Sequence, residues 1–190
     1  VELTDFLPKS LENDIYESTM ATFMPWYYSD STIHKGNNTL PSHPDIRDSS
    51  QFVHLALWPD QENSWIWNVI KPVLYFFEKE TGTKIKNTQR CKINLLQPSK
   101  NYQPNTFHPP HNDGEDNQYS LIYYVNDSDG DTYFFNEFFT GVKPELTIYN
   151  KVTPKKGKAV FFDSARYHCS SNPVNTERRV AINFVFGVEK

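Results

Sequence analysis

Thr176-Glu-Arg-Arg-Val-Ala-Ile-Asn-Phe-Val-Phe186 alternates two kinds of side chain. Read with a period of two, Val180, Ile182, Phe184 and Phe186 form one strongly apolar face, while Arg179, Ala181, Asn183 and Val185 form the other. The bulky face suits packing against outer helices, and the face of small and polar groups suits the wall of a cavity. This alternation places Arg179, rather than Arg178, inside the cavity. The competing reading has both arginines solvated at the end of a strand.

Working outward, the second half of the chain reads as short strands separated by Asn, Asp, Gly and Pro clusters, with candidates at 91–96, 120–126, 132–135, 146–149, 158–162 and 179–186. The first half reads as largely helical. A short strand is expected within 1–7, and Leu11, Ile15 and Met20 fall near helical spacing after Pro8. Residues 26–44 read as an irregular connection. Across 64–81, Trp65, Trp67, Ile70, Val73, Leu74, Phe76 and Phe77 make one broad helical face that stops at Gly82. The expected fold is mainly β with a helical layer: an antiparallel jelly roll whose N-terminal helices pack on one sheet. One domain over 1–190 is the simplest organisation, with 1–90 as the supporting part and 91–190 as the core carrying the site.

Composition narrows the function classes. The 14 Phe, 11 Tyr and 4 Trp supply a large apolar payload in a chain of 190 residues, which argues against disorder. A formal net charge of -4 gives no basic footprint, so nucleic acid is a disfavoured partner. Cys91 and Cys169 are too few for a disulfide framework and suggest free thiols. No apolar run reaches membrane-spanning length, and the first residues show no secretory pattern, so no membrane partner and a cytoplasmic location are expected.

The chemistry starts at His108-Pro-Pro-His111-Asn-Asp113. On an extended segment, residues i and i+2 point to one side, so His111 and Asp113 can offer an imidazole and a carboxylate to one ion. Such short matches also arise by chance, and a surface histidine is the common alternative. A second histidine ends the stretch Pro154-Lys-Lys-Gly157 to His168, where a turn and the apolar run Ala159 to Phe162 precede it. Two His and one carboxylate with open positions are the ligand set of oxygen-activating Fe(II) enzymes. A structural zinc site would want four closed ligands, usually with thiolates. Cys169 adjoins His168 but would point to the opposite face. A planar guanidinium at Arg179 offers a two-pronged grip on a carboxylate.

The ordered set His111-x-Asp113, Ser120-Leu-Ile-Tyr-Tyr-Val-Asn126, Gly130-Asp-Thr132, Pro154-x-x-Gly157-x-x-x-x-Phe162, His168 and Arg179 resembles the prolyl 4-hydroxylase-like branch of the 2-oxoglutarate/Fe(II)-dependent dioxygenases, in its small phage or marine bacterial type. The resemblance covers roughly residues 91–186. It implies a double-stranded β-helix, with His111, Asp113 and His168 as metal and catalytic residues and Arg179 on the distal carboxylate of 2-oxoglutarate. It further implies Fe(II), 2-oxoglutarate and dioxygen, and allows ascorbate as a reductant. Tyr124 matches a tyrosine that often meets the same carboxylate, with Tyr123 and a purely structural aromatic as alternatives. His108 matches a pocket position or is a turn residue. Asn94 and Asn183 could meet the cosubstrate or satisfy buried backbone groups. Where the family usually has glycine, this chain has Asp131, which departs from the pattern in that hairpin.

The implied activity is hydroxylation of an unactivated C–H bond, with 2-oxoglutarate decarboxylated to succinate and CO2. A peptidyl or free amino acid is the favoured primary substrate, by analogy with prolyl hydroxylases. If the chain is phage-encoded, its location would be the host cytoplasm. The alternatives are a nucleic-acid demethylase of the same superfamily and an inert jelly-roll binding protein. The first would call for a further arginine late in the last strand, where Asn183-Phe-Val-Phe186 stands instead. The second would have no need to keep the three ligands and Arg179.

Overall fold

The computed structural model describes residues 1–33, 43–59, 61–99, 103–114, 117–141 and 144–189. In chain order it runs β1 (Glu2–Leu3), α1 (Lys9–Met20), β2 (Tyr27–Ser29), β3 (Gln51–Trp58), β4 (Gln61–Glu62), α2 (Ile66–Ile70) and α3 (Pro72–Thr81). There follow β5 (Ile85–Leu96), β6 (Gln118–Tyr124), β7 (Thr132–Phe138), β8 (Ile148–Val152), β9 (Ala159–Asp163), β10 (Arg166–Ser170) and β11 (Arg179–Val188).

The strands form two antiparallel sheets. The larger has the order β1-β9-β6-β11-β5-β3-β2, with β4 added on β3, and the smaller has the order β10-β7-β8. β11 lies near the middle of the larger sheet, with Ala181 opposite Asn94 on one side and Tyr124 on the other. Its two faces divide as the alternation predicts. Val180, Ile182, Phe184 and Phe186 join Ile15, Ile70, Val73 and Phe77 in the core beneath the helices. The Phe77 ring stands 4.9 Å from that of Phe161 and 5.5 Å from that of Phe186, within the range of favourable aromatic pairs. On the inner face, Ala181, Ile122 and Tyr124 meet Phe134 and Phe162 between the sheets. This is a double-stranded β-helix with helices covering the larger sheet.

The first half is less helical than its periodicity suggests. Its helices have 12, 5 and 10 residues, and it also supplies β3 to the larger sheet, beside β5. Gln51-Phe-Val-His-Leu-Ala-Leu-Trp58 hides its period because its pairing with β5 shifts register between Leu55 and Leu57: Val53 and Leu55 face a cleft, while Leu57, of the same parity, lies in the core with Ala56. β5 starts at Ile85 and so runs through the expected boundary at residue 90. The stretch 26–44 contains β2, and its residues 34–42 lie outside the described ones. The helix expected over 64–81 is two helices meeting at Lys71, because Pro72 has no N–H to give the preceding turn. It does end at Gly82, whose φ of 72° is the left-handed cap that glycine accepts without strain. Among the described residues no helix is long and apolar enough to cross a membrane.

Candidate metal centre and cosubstrate cavity

His111 and His168 form an antiparallel bridge between the segment before β6 and β10. Each backbone N–H donates to the other's carbonyl, at 3.0 and 2.9 Å, which fixes both side chains on the same side. The rings stand 4.7 Å apart, and His168 is further wedged against Phe162. Two residues on, the Asp113 N–H donates to Ser164 O at 2.9 Å, so the carboxylate is pinned to the turn between β9 and β10. One ligand atom from each of His111, Asp113 and His168 falls within 4.8 Å of the others.

The surroundings make this a cation site. His111 Nδ1 lies 3.3 Å from Pro109 O and His168 Nδ1 lies 3.1 Å from Arg166 O. A carbonyl only accepts, so Nδ1 carries a hydrogen in each ring, the arrangement that leaves Nε2 as the nitrogen for a metal. Burial, followed by the nearby His168, pushes the His111 pKa down to about 3, so that ring is neutral at ordinary pH. His168 Nε2 lies 3.2 Å from Asp113 Oδ2. That spacing suits two ligand atoms sharing one ion. The donor set, two imidazoles and one carboxylate, fits a divalent iron with open positions.

Asp113 is held from several sides. Its side chain is 2% exposed, and Arg90 Nη2 lies 2.5 Å from Oδ1. Oδ2 accepts from Ser120 Oγ at 3.0 Å and from Asn183 Nδ2 at 2.8 Å. Burial alone would raise the carboxyl pKa, but the Arg90 charge is the strongest opposing influence and the carboxyl is held well below the usual range.

Arg179 lies in the same small cavity, of about 60 Å³, as the three candidate ligands. Its Nε donates to Gly130 O and its Nη2 to Thr132 Oγ1, both at 2.8 Å, so the plane of the guanidinium is set. A Cβ on Gly130 would stand 2.6 Å from Ser171 O and 2.9 Å from Pro173 N, so only glycine allows this approach. The Tyr124 ring lies under the guanidinium at 5.7 Å, and its hydroxyl is 2.7 Å from Thr132 Oγ1. Tyr124 thus reaches the cavity through Thr132 rather than lining it. Tyr123 points the other way, into the helix-side core. Arg178 is exposed beside Glu177.

Asn94 and Asn183 both line the cavity. His108 is buried behind it, bonded to Ser49, Ser170 and Asn172. Cys169 packs with Phe107, Tyr133, Phe135 and Tyr167 and supplies no fourth ligand. Asp131 receives Lys151 Nζ at 2.9 Å on the smaller sheet.

Sequence reasoning missed Arg90, Lys92 and Ser120. Arg90 and Lys92 share the strand parity of Asn94 on β5, and that parity was the available signal. Ser120 gave none. Lys92 and Arg90 also border an outer cleft of about 610 Å³ that shares His111 and Asp113 with the small cavity. Burial, then the neighbouring Arg90 charge, lowers the Lys92 pKa to about 8.

Fold and site together define the class of 2-oxoglutarate/Fe(II) oxygenases, which take Fe(II) as metal and 2-oxoglutarate as cosubstrate. Residues 98–187 match the sequence profile of the 2OG-Fe(II) oxygenase superfamily. None of the curated proteins compared matches the sequence. Among solved structures, the chain is similar to a 2OG-Fe(II) oxygenase-family oxidoreductase from Burkholderia pseudomallei, with a TM-score of 0.64 and 15% identity over 98% of this chain and 84% of that one. It is also similar to a prolyl hydroxylase from Trichoplax adhaerens, with a TM-score of 0.62 and 14% identity over 98% and 82% of the two chains. A prolyl-4-hydroxylase from Pseudomonas putida gives a TM-score of 0.54 and 16% identity over 100% and 92%. At these identities the likeness is one of fold. The chain is a non-haem iron oxygenase with prolyl 4-hydroxylase-like neighbours.

Proposed function

We propose that His111, Asp113 and His168 hold Fe(II), that Arg179 holds the distal carboxylate of 2-oxoglutarate, and that the enzyme hydroxylates an unactivated C–H bond of a peptidyl or free amino acid. The observation that carries this reading is the convergence of the three ligand atoms within 4.8 Å, in a cavity that Arg179 also lines. We take 1–190 as one oxygenase domain, since β2 and β3 from the first half border the cleft that opens on the metal centre.

When bound, Fe(II) supplies the redox chemistry by which dioxygen converts 2-oxoglutarate to succinate and CO2 and oxidises a C–H bond. The chain's own residues do the rest. Pro109 O and Arg166 O hold the two imidazoles in the tautomer that ligates. Arg90, Ser120 and Asn183 orient the Asp113 carboxylate. Gly130 and Thr132 aim the Arg179 guanidinium, with Tyr124 as its backing. Asn94, between Val53 and Ala181 on the cavity floor, is placed to meet the cosubstrate. The Phe134 and Phe162 rings beside His168 keep water from that side of the centre.

An amino-acid substrate is supported by the prolyl hydroxylase neighbours, one of which is described in complex with a peptide fragment of the hypoxia inducible factor oxygen degradation domain. The test is a screen of free amino acids and short peptides with Fe(II), 2-oxoglutarate and air. A hit gains the mass of one oxygen atom and raises succinate release, and His168→Ala abolishes both. Turnover that persists in His168→Ala contradicts the assignment.

A further inference from the structure

The cavity carries two cations, and only Arg179 is anchored by the protein. Lys92 lines both the small cavity and the outer cleft. Lys92 is part-buried, and among the described residues its ammonium makes no hydrogen bond or ion pair. The side chain is not at a sheet edge, where a lysine would simply reach for water. β5 lies between β3 and β11, and Lys92 stands opposite Leu55 on one and Asn183 on the other. An ammonium that lines a cavity, half-withdrawn from water and without a partner, has as its natural complement an anion brought by a ligand.

The anion's place follows from the register. Asn183 donates to Asp113, so the row holding Lys92 is the row of the metal centre. Arg179 is four residues along β11 from Asn183, about 13 Å at ~3.3 Å per residue. The two cations therefore serve different ends of the floor. Beyond Lys92 the cleft offers Val53, Leu55 and Trp58 as an apolar wall, and the neighbouring Arg90 charge is already taken by Asp113. A single ammonium matches a single negative charge. A phosphate dianion is usually met by several donors at once, whereas Lys92 offers one charge and Arg90 is engaged by Asp113.

We propose that the primary substrate carries a carboxylate, held by Lys92 beside the metal centre, with its apolar body against Val53, Leu55 and Trp58. This rests on the oxygenase reading above and narrows it. A residue inside a peptide has an amide where a free amino acid or other small carboxylic acid has its charge, so the free acid is the favoured form.

The test is calorimetric binding to anaerobic protein loaded with Fe(II) and 2-oxoglutarate, using matched acids and amides: N-acetylproline and N-acetylprolinamide, N-acetylleucine and its amide, hexanoate and hexanamide. At least one acid should bind about tenfold or more tightly than its amide, the worth of one charge-assisted hydrogen bond. Lys92→Met should erase that preference and Lys92→Arg should retain part of it, with 2-oxoglutarate affinity within about threefold of wild type. The proposal is overturned if no acid is preferred or binds, or if the preference survives in Lys92→Met. It is equally overturned if Lys92→Met weakens 2-oxoglutarate in parallel, since the cation would then belong to the cosubstrate. Failure of wild type to take up 2-oxoglutarate would overturn the oxygenase reading as well. Normal uptake without acid preference overturns this inference alone.

Discussion

Arg90 Nη2 lies 2.5 Å from Asp113 Oδ1, while the other carboxylate oxygen accepts from Ser120 and Asn183 and lies 3.2 Å from His168 Nε2. The arginine thus takes one oxygen and leaves the other directed at the histidines. Removing it should let the carboxylate rotate. Arg90→Met is expected to weaken Mn(II) or Fe(II) binding about 10–100-fold, the usual cost of losing a group that orients a ligand. Unchanged metal affinity in a folded Arg90→Met protein would mean that Asp113 is held adequately without it.

The two adjacent arginines should differ sharply. Arg179 is buried with Nε and Nη2 engaged, whereas Arg178 is exposed beside Glu177. Arg179→Ala is expected to weaken 2-oxoglutarate binding about 10–100-fold, more than it weakens metal binding, and Arg178→Ala to leave both nearly unchanged. Because Arg179 also ties down Gly130 and Thr132, Arg179→Lys is the companion variant: it keeps the charge but cannot reproduce the fork. Thermal melts of all three separate lost binding from lost folding. A larger effect from Arg178 would reverse the assignment.

His108 predicts a pH dependence of stability. It is buried between Ser170 and Asn172, and burial, followed by the Arg179 charge, pushes its pKa from 6.5 to about 3. Between those values the unfolded chain binds a proton and the folded chain does not, so stability falls as pH falls through that window. Between pH 7 and pH 5 the loss should be about 2 kcal/mol. Urea unfolding of wild type and His108→Gln at both pH values reads it: the variant should lose less stability on acidification, and parallel losses would contradict the burial argument.

Lys92 should cost stability. Its pKa, lowered to about 8, means that below that pH the folded chain holds the charge at a cost in stability, and that stability recovers as pH rises from about 8 towards 10.5. Allowing for water in the cleft, Lys92→Met should be more stable than wild type by about 1–2 kcal/mol at pH 7, or several degrees in Tm. A less stable Lys92→Met would mean that the ammonium has a partner within the protein.

How far the sequence could be read depended on which faces of a strand are covered. β11 has a purely apolar face and a mixed face, so its parity separated Val180, Ile182, Phe184 and Phe186 from the cavity-facing Arg179, Ala181 and Asn183. His111, Asp113 and His168 were legible because metal chemistry restricts residue type and spacing. β3 was not legible, since a register shift between Leu55 and Leu57 turns one parity from the cleft to the core and no period of two survives. Arg90, Lys92 and Asn94 do alternate with Cys91 and Ile93 on β5, but nothing local tells a cavity-facing basic residue from a solvated one. Ser120 matters only through its fold partners Asp113 and Ser164, contacts made by the fold rather than by neighbours in sequence.

The most direct test of the central claim is anaerobic titration of 2-oxoglutarate into the Fe(II)-loaded protein, followed by visible absorption. The account predicts a weak charge-transfer band in wild type, absent in His111→Ala, Asp113→Ala and His168→Ala, and reached only at much higher 2-oxoglutarate in Arg179→Ala. No band in wild type, or the same band in the three ligand variants, would contradict it.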